Sequence, residues 1–200
     1  MNQFCSFKEL KDTIAPLHRL TFGFTGHTNV EKALGVKPVA NDLSQYEDGL
    51  LDWFFAEFDE FFEALDVGNK EIVFISGMAR GWDEIVALYA MQKKYELILA
   101  IPNRVSWHMN RWSKKRSQAI FYKKILEYEK SNAVEVRKNY KNHQFSNGFF
   151  ARNQYIVDHS DILIAFKGYE SPGTNDCIKR AKEKCVYNFF EKMTRREYGE

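Results

Sequence analysis

Three short stretches carry the residue types that hold a phosphorylated ligand. They are Gly26-His27-Thr28-Asn29, Ser76-Gly77-Met78-Ala79-Arg80-Gly81-Trp82-Asp83, and Lys167-Gly168-Tyr169-Glu170-Ser171-Pro172-Gly173-Thr174-Asn175. Each follows an apolar run, and the second and third lead into helix-like sequence. The first turn of a helix has unpaired N–H groups and a partial positive charge, so such a junction suits a phosphate. Glycine there lets the backbone approach a ligand, because it has no Cβ and tolerates positive φ. Asp83 either caps its helix or accepts ribose hydroxyls. Thr174 offers its N–H and hydroxyl to a phosphate, beside Gly173 and Asn175, or serves only as an N-cap. His27 can contact a phosphate or base, act as an acid or base, or simply be a packed residue. Arg152 and Asn153 precede the third junction; an Arg there clamps a phosphate in two-pronged fashion or lies on the surface. Trp107 and Trp112 can stack on a base or cover the core, and Trp82 in the second glycine turn is another candidate for stacking on the base.

Neither glycine turn is a complete nucleotide fingerprint. The second stretch lacks the Gly-Lys-Ser/Thr ending of a P-loop, and Gly77 and Gly81 fill only part of a dinucleotide motif. The sequence shows no Ser-His-Asp order, no carboxylate pair at useful spacing and no metal-ligand cluster. No metal and no cofactor are expected.

The elements that must position these residues alternate between strand and helix. Strands are predicted at Arg19–Thr25, 71–75, Glu96–Ile101, Ala133–Val136, 161–166 and Cys185–Phe190. Helices are predicted at Asp48–Leu65, Trp82–Lys94, Ser113–Lys130, Gly148–His159 and Thr174–Lys184. In the first of these, Leu51, Phe54, Phe55, Phe58, Phe62 and Leu65 recur at three- and four-residue spacing. A short helix or arm occupies 1–17. Residues 30–46 read as irregular, the stretch with Trp107, His108 and Trp112 as a polar loop, 137–147 as a loop, and the charged tail 192–200 as frayed. The strands are apolar without polar alternation, which marks a parallel sheet covered on both faces. The expected fold is α/β, an open parallel sheet with helices on both faces in one domain over 1–200. Ligands of such sheets bind at the carboxyl ends of the strands, where the chain order reverses.

Composition narrows the partners. A formal charge of +2 over 200 residues is too small for a nucleic-acid footprint, and the basic runs Lys114-Lys115-Arg116 and Arg137–Lys141 read as solvated faces. No apolar run approaches the ~18 residues that span a bilayer, and Met1–Leu10 shows no secretory signal. Seventeen Phe among 200 residues point to a core built from rings. Cys5, Cys177 and Cys185 match no zinc spacing and read as reduced thiols in a cytoplasm.

At these residues the chain resembles the SLOG superfamily, which includes YpsA-type proteins, DprA and the Lonely Guy (LOG) phosphoribohydrolases. The likeness is greatest to the YpsA-type branch. It rests on Phe24-Thr25-Gly26-His27, Ile75-Ser76-Gly77-Met78-Ala79-Arg80-Gly81-Trp82-Asp83, and Arg152-Asn153 through Asp158, Asp161 and Pro172-Gly173-Thr174, in family order over roughly residues 20–185. The resemblance implies a Rossmann-like sheet, frequent homo-oligomers, and a pocket for nucleotide-derived ligands of ADP-ribose type. That pocket would use Gly26, His27, Ser76, Gly77, Met78, Asp83, Arg152, Asn153, Gly173 and Thr174. Two departures matter. Thr28 stands where YpsA-type proteins commonly have Arg. LOG enzymes carry Pro-Gly-Gly-x-Gly-Thr-x-x-Glu with a catalytic Glu; here the position three after Thr174 is Cys177, and the nearest carboxylate is Asp176. A thiol does not replace a carboxylate that stabilises positive charge on a ribose.

The expected function is binding, for sensing or sequestration, of a nucleotide-derived signalling molecule; a cyclic derivative used in bacterial defence, and so a phage anti-defence role, follows from family analogy alone. An enzyme of LOG type would use His27, Asp83 and Asp176. An interaction or single-stranded DNA module with a degenerate pocket is the third alternative.

Overall fold

The computed structural model describes residues 4–35, 49–112, 116–137 and 145–197. Strands β1 (Arg19–Gly26), β2 (Glu71–Ser76), β3 (Glu96–Ile101), β4 (Ser131–Glu135), β5 (Ile162–Phe166) and β6 (Val186–Asn188) form one parallel sheet in the order β4-β3-β2-β1-β5-β6. The chain therefore steps outward from β1 to β4 and then returns to place β5 on the other side of β1.

Successive side chains of a strand point to opposite faces, and here both faces are apolar. Leu20, Phe22, Phe24, Phe74, Leu97, Leu99, Ile164 and Phe166 enter one core, while Ile75, Ala100, Leu163 and Ala165 enter the other. The first core lies under α1 (Phe7–Ile14), α3 (Leu50–Leu65), α4 (Trp82–Gln92), α6 (Arg116–Leu126) and α9 (Phe189–Glu197). The second lies under α7 (Phe145–His159) and α8 (Pro172–Arg180). Two short helices, α2 (Val30–Leu34) and α5 (Val105–Trp112), follow the carboxyl ends of β1 and β3. This is a Rossmann-like open sheet with helices on both faces.

The two cores differ in how they are filled. The second uses small residues, and Gly23 lets α7 approach: a Cβ there would meet Ser160 and Ile156 at 2.8–2.9 Å. The first is built from rings around Trp82, which is fully buried. Phe166 stacks on its indole at 4.7 Å, and Phe58, Phe189, Phe54 and Phe24 surround it at 5.3–6.3 Å.

Several local expectations change. Val30–Leu34 is helical rather than irregular, because the Asn29 side chain accepts from the Lys32 N–H and Gly35 ends the helix at φ 71°; residues 36–48 lie outside the described residues. The stretch expected to be a polar loop is α5. Its Val105, His108 and Met109 have helical spacing that intervening polar residues hide, and His108 Nδ1 meets the Tyr122 hydroxyl of α6 at 2.9 Å. The last strand stops at Asn188, and the described part of the expected frayed tail, up to residue 197, belongs to α9. Phe189 and Met193, four apart, are buried there, and Lys192 pairs with Glu57 at 2.6 Å. Helix α8 starts at Pro172 and ends at Arg180, short of Lys184. Most of the loop 137–147 and the two basic runs fall outside the described side chains. Among the described residues no helix is long and apolar enough to cross a membrane.

The cysteines need the clearest correction. Cys5 and Cys185 form a disulfide across 180 residues of sequence, and only Cys177 is a free thiol. Sequence spacing gives no hint of the pair. The sheet order creates it, because β6 is an edge strand and the segment before α1 lies along it, with the Cys5 N–H donating to the Val186 carbonyl at 2.8 Å. Such a long closed loop restricts the unfolded chain. Reduction, or Cys5→Ser, is expected to lower the free energy of unfolding by about 2–4 kcal/mol. Urea unfolding with and without dithiothreitol reads this, and equal midpoints would show that the tie contributes nothing.

Candidate functional site

Register places the predicted stretches along one edge. Gly23 of β1 pairs with Ile75 of β2, and Gly26 pairs with Phe166 of β5, so the turns after β1, β2 and β5 emerge side by side. The order reverses between β1 and β5, where open α/β sheets leave a crevice.

At the reversal, His27 is a packed acceptor. It is only 1% exposed, and its Nε2 accepts the N–H groups of Gly168 and Tyr169 at 2.9 and 3.1 Å. Two donors on Nε2 require the proton to sit on Nδ1. The Tyr169 ring stacks on the imidazole at 3.6 Å, and Lys32 lies over that ring. Burial, with Lys167 and Lys32 nearby, pushes the imidazole down to about 4, so it is neutral at physiological pH. Thr28 is exposed, and Asn29 is the α2 cap.

The β2 turn is tied from inside. The Ser76 hydroxyl donates to the Asp83 carbonyl at 2.7 Å and accepts from the Met78 N–H at 3.1 Å. Met78 is held at φ 54°, a left-handed conformation that a side chain makes costly. Gly81 has φ 79°, and a Cβ there would sit 2.6 Å from the His27 carbonyl. The N-cap of α4 is Gly81, so Asp83 does not cap the helix. Its carboxylate is 4% exposed and turns back over the turn, where Oδ2 accepts weakly from Ala79 N–H at 3.3 Å and lies 3.9 Å from Arg152. Gly77 makes this possible: a Cβ there would meet Asp83 at 2.7 Å and Arg152 at 3.0 Å. Trp82, by contrast, belongs to the core and offers no face to a base.

From Arg152 a chain of contacts runs to α8. Arg152 donates to the Gly77 carbonyl at 3.2 Å and to the Asn153 side-chain oxygen at 3.0 Å. The Asn153 amide donates to the Gly173 carbonyl at 3.1 Å and to Asp176 at 2.9 Å, and Arg180 grips Asp176 from the far side. Helix α8 opens with Pro172 at its first position, and its N-cap Ser171 makes no side-chain cap bond. Nothing lies within 4 Å of a Cβ built on Gly173. Thr174 is buried, and its hydroxyl reaches only Ser171, at 3.4 Å; the Asn175 amide donates to Glu170. Burial pushes the Cys177 thiol up to about 12, so it is inert.

The two carboxylates diverge. Burial raises Asp83 to about 6 despite Arg152. Burial also acts on Asp176, but the hydrogen bonds from Arg180 and Asn153 outweigh it and hold that group below its usual range. Trp107, on α5, is half-buried; its ring lies 6.4 Å from Phe149, and Arg152 lies over that Phe149 ring at 5.7 Å.

A wider pattern frames these contacts. Among the described residues, the buried side-chain atoms without a partner are His27 Nδ1, Glu31 Oε2, Arg80 Nε, Trp82 Nε1, both amide atoms of Asn103, and Asn175 Oδ1. All seven belong to the turns or helix starts after β1, β2, β3 and β5. Asn103 and Tyr169 were not singled out from sequence. A polar residue directly after Pro102, where β3 ends, was the available signal for Asn103; Tyr169 sat within a stretch already marked. Surface cavities of about 590 Å³ beside α7 (Val136, Phe150, Gln154, Arg180) and 1240 Å³ along β6 are also present. Among the described residues no cluster is arranged to hold a metal ion. No protein-family model matches the chain, and comparison with curated proteins gives no match.

Asp83 and His27 give stability opposite pH trends. Asp83 titrates near 6 when folded against 3.8 when free. Below pH 3.8 both states hold the proton and nothing is lost. As pH rises to 6 the unfolded chain ionises first, so stability falls, and above 6 the loss is complete. The contribution of His27 is present above 6.5 and lost as pH falls through about 4. Asp83→Asn is therefore expected to stabilise the protein by roughly 2–3 kcal/mol above pH 6 and to change little below pH 4. Thermal unfolding from pH 4 to 7.5 reads the difference; curves that stay parallel would show that the carboxylate carries no burial penalty.

Proposed function

We propose that the protein binds a nucleotide-derived ligand of ADP-ribose type across the carboxyl edge of the sheet, holding it for sensing or sequestration. One observation carries this: the unpartnered buried side-chain polar atoms of the described residues belong to the turns and helix starts that follow β1, β2, β3 and β5, at the carboxyl ends of those strands. A folded protein pairs its buried polar groups, and exceptions concentrated in one place mark a surface that a polar ligand completes. The strained Met78 and the costly Asp83 support the same reading, since strain and shifted carboxylates cluster at functional sites.

In this reading the N–H groups of the β2 turn and of the first turn of α8 receive phosphates, at Gly77, Gly173 and Thr174, while the Met78 N–H stays on the Ser76 hydroxyl. Arg152 supplies the charge and Asp83 accepts ribose hydroxyls. Trp107 stacks on the base. His27 braces the β5 turn and does no proton transfer.

The test is to incubate the protein with AMP, ADP-ribose and cyclic ADP-ribose isomers, separate it by filtration, and analyse both fractions by mass spectrometry. A ligand retained and recovered intact after denaturation is the expected result, with Arg152→Ala weakening binding by about tenfold or more. Retention of none of them overturns the reading. The opposed shifts of Asp83 and Asp176 favour one second reading, because carboxylates pushed apart in pKa divide acid and base roles. Under it, an N-glycosidic bond is hydrolysed; the ligand returns as free base plus ribose phosphate, and Asp83→Ala abolishes the release.

A further inference from the structure

Arg152 is the charge that the binding reading gives to phosphate, and it already faces a charge of its own chain. Asp83 Oδ2 lies 3.9 Å from Arg152 Nη1, with the two side chains 6% and 12% exposed. Asp83 has one further contact, the Ala79 N–H at a long 3.3 Å. Gly77 lets the pair close up: a Cβ there would meet Asp83 at 2.7 Å and Arg152 at 3.0 Å. The Phe149 ring lies under the guanidinium at 5.7 Å, which keeps water from that side. The exposed remainder of Arg152 is where an anion reaches this unit.

Other titratable groups stand around Asp83. The Cys177 thiol acts on it from α8, but burial pushes that thiol up to about 12, so it stays neutral. Asp176, beyond Asn153, is bound by Arg180 and held below its usual range. In the turn itself Arg80 is directed to Glu31 of α2 at 3.7 Å. Glu84, next along α4, is buried. Burial favours the neutral acid at Asp83 and Arg152 favours the carboxylate; burial prevails and raises the group to about 6. What charge Asp83 keeps near neutral pH therefore leans on Arg152.

We propose that a ligand phosphate competes with Asp83 for Arg152, so that binding takes up a proton at Asp83 and the site releases its ligand as pH rises; this regulation rests on the nucleotide-binding reading above. Two negative charges on one largely buried cation repel each other where water screens them poorly. Protonation of Asp83 removes one of the two: the proton comes from solvent and forms an O–H bond on the carboxylate. The step costs little, because burial already favours the neutral acid. The bound state then holds this proton to higher pH than the free state, and by linkage affinity is greatest where Asp83 is already protonated. The coupling runs through Arg152 and needs no contact between ligand and Asp83. The protonated acid still has its carbonyl oxygen to accept a ribose hydroxyl.

The experiment measures ADP-ribose affinity by calorimetry from pH 5 to 8, in two buffers of different ionisation enthalpy so that proton uptake is read directly. The diphosphate of this ligand stays fully ionised over that range, and His27 titrates below it, near 4. Wild-type affinity is expected to be nearly constant below pH 5.5 and to fall about fivefold from pH 6.5 to 7.5, with most of a proton taken up per ligand at pH 7. Asp83→Asn has no group to titrate there; its affinity is expected to be independent of pH, with no proton uptake, and thermal unfolding confirms that it folds. A wild-type affinity that does not fall with pH, or a fall that persists in Asp83→Asn, overturns the coupling and leaves the binding reading standing. Failure of wild type to bind ADP-ribose at any pH overturns both.

Discussion

Trp82 joins the core to the edge of the sheet. Its indole is the centre of the ring-built core, stacked on Phe166 at 4.7 Å, and its backbone N–H donates to the His27 carbonyl at 3.1 Å. It is also the first residue of α4. Packing one side chain therefore fixes three things at once: where α4 starts, how the β2 turn meets the β1 turn, and how closely β5 approaches. The neighbours are shaped to permit this. Gly26 lies where a Cβ would be 2.6 Å from the indole, and Gly81 lies where one would strike the His27 carbonyl. Rings packed in this way move together or not at all, because interiors are close-packed. The turn that carries Asp83 inherits the rigidity of the core.

On the opposite face small residues set the geometry. Gly23, Ala100 and Ala165 leave room for α7 and α8 to lie close to the sheet. That closeness brings Arg152 over Gly77 and Asn153 onto the start of α8. Neither contact follows from the helices alone. They exist because β5 returns beside β1, so that the helix before it starts against the carboxyl end of β3 and runs back over the face of β1. The same topology places β6 at the margin and lets the segment around Cys5 reach it.

Much of this was legible in sequence because apolar runs and glycine turns are local signals. The six strands and the strong helix at 50–65 follow from periodicity, and the shared edge follows from strand–helix alternation. What sequence could not yield depends on partners distant along the chain. The Cys5–Cys185 pair, the closing of the His27 ring over the Gly168 and Tyr169 amides, and the meeting of Arg152 with Asp83 all need the strand order. Helices α5 and α9 were hidden for a different reason: each has only a few core-facing residues, and charged or polar neighbours mask their spacing. Trp82 also shows a limit of residue type. An aromatic in a glycine turn looks like a stacking surface, but only the packing around it shows that no face is left.

The cost of this edge bears on what it does. The chain packs Phe22, Phe58 and Phe74 to full burial, yet it leaves Glu31 and Arg80 at 3.7 Å with an orphaned atom on each. It keeps Met78 left-handed where glycine would relax the turn, and it buries Asp83 where an amide would be cheaper. Each of these lowers stability, and the contacts that offset them are weak: Asp83 has only a long bond from the Ala79 N–H at 3.3 Å and Arg152 at 3.9 Å. Destabilising features scattered over a fold carry no message; gathered on one edge, at a strand-order reversal, they are the pattern on which the proposed binding role rests. Under the proposed role the partner would be polar, would carry negative charge for Arg152 and would offer hydroxyls to Asp83. A nucleotide-derived ligand would meet both demands at once, where an inorganic ion would meet only the first, and that difference is the reason the proposal names a nucleotide.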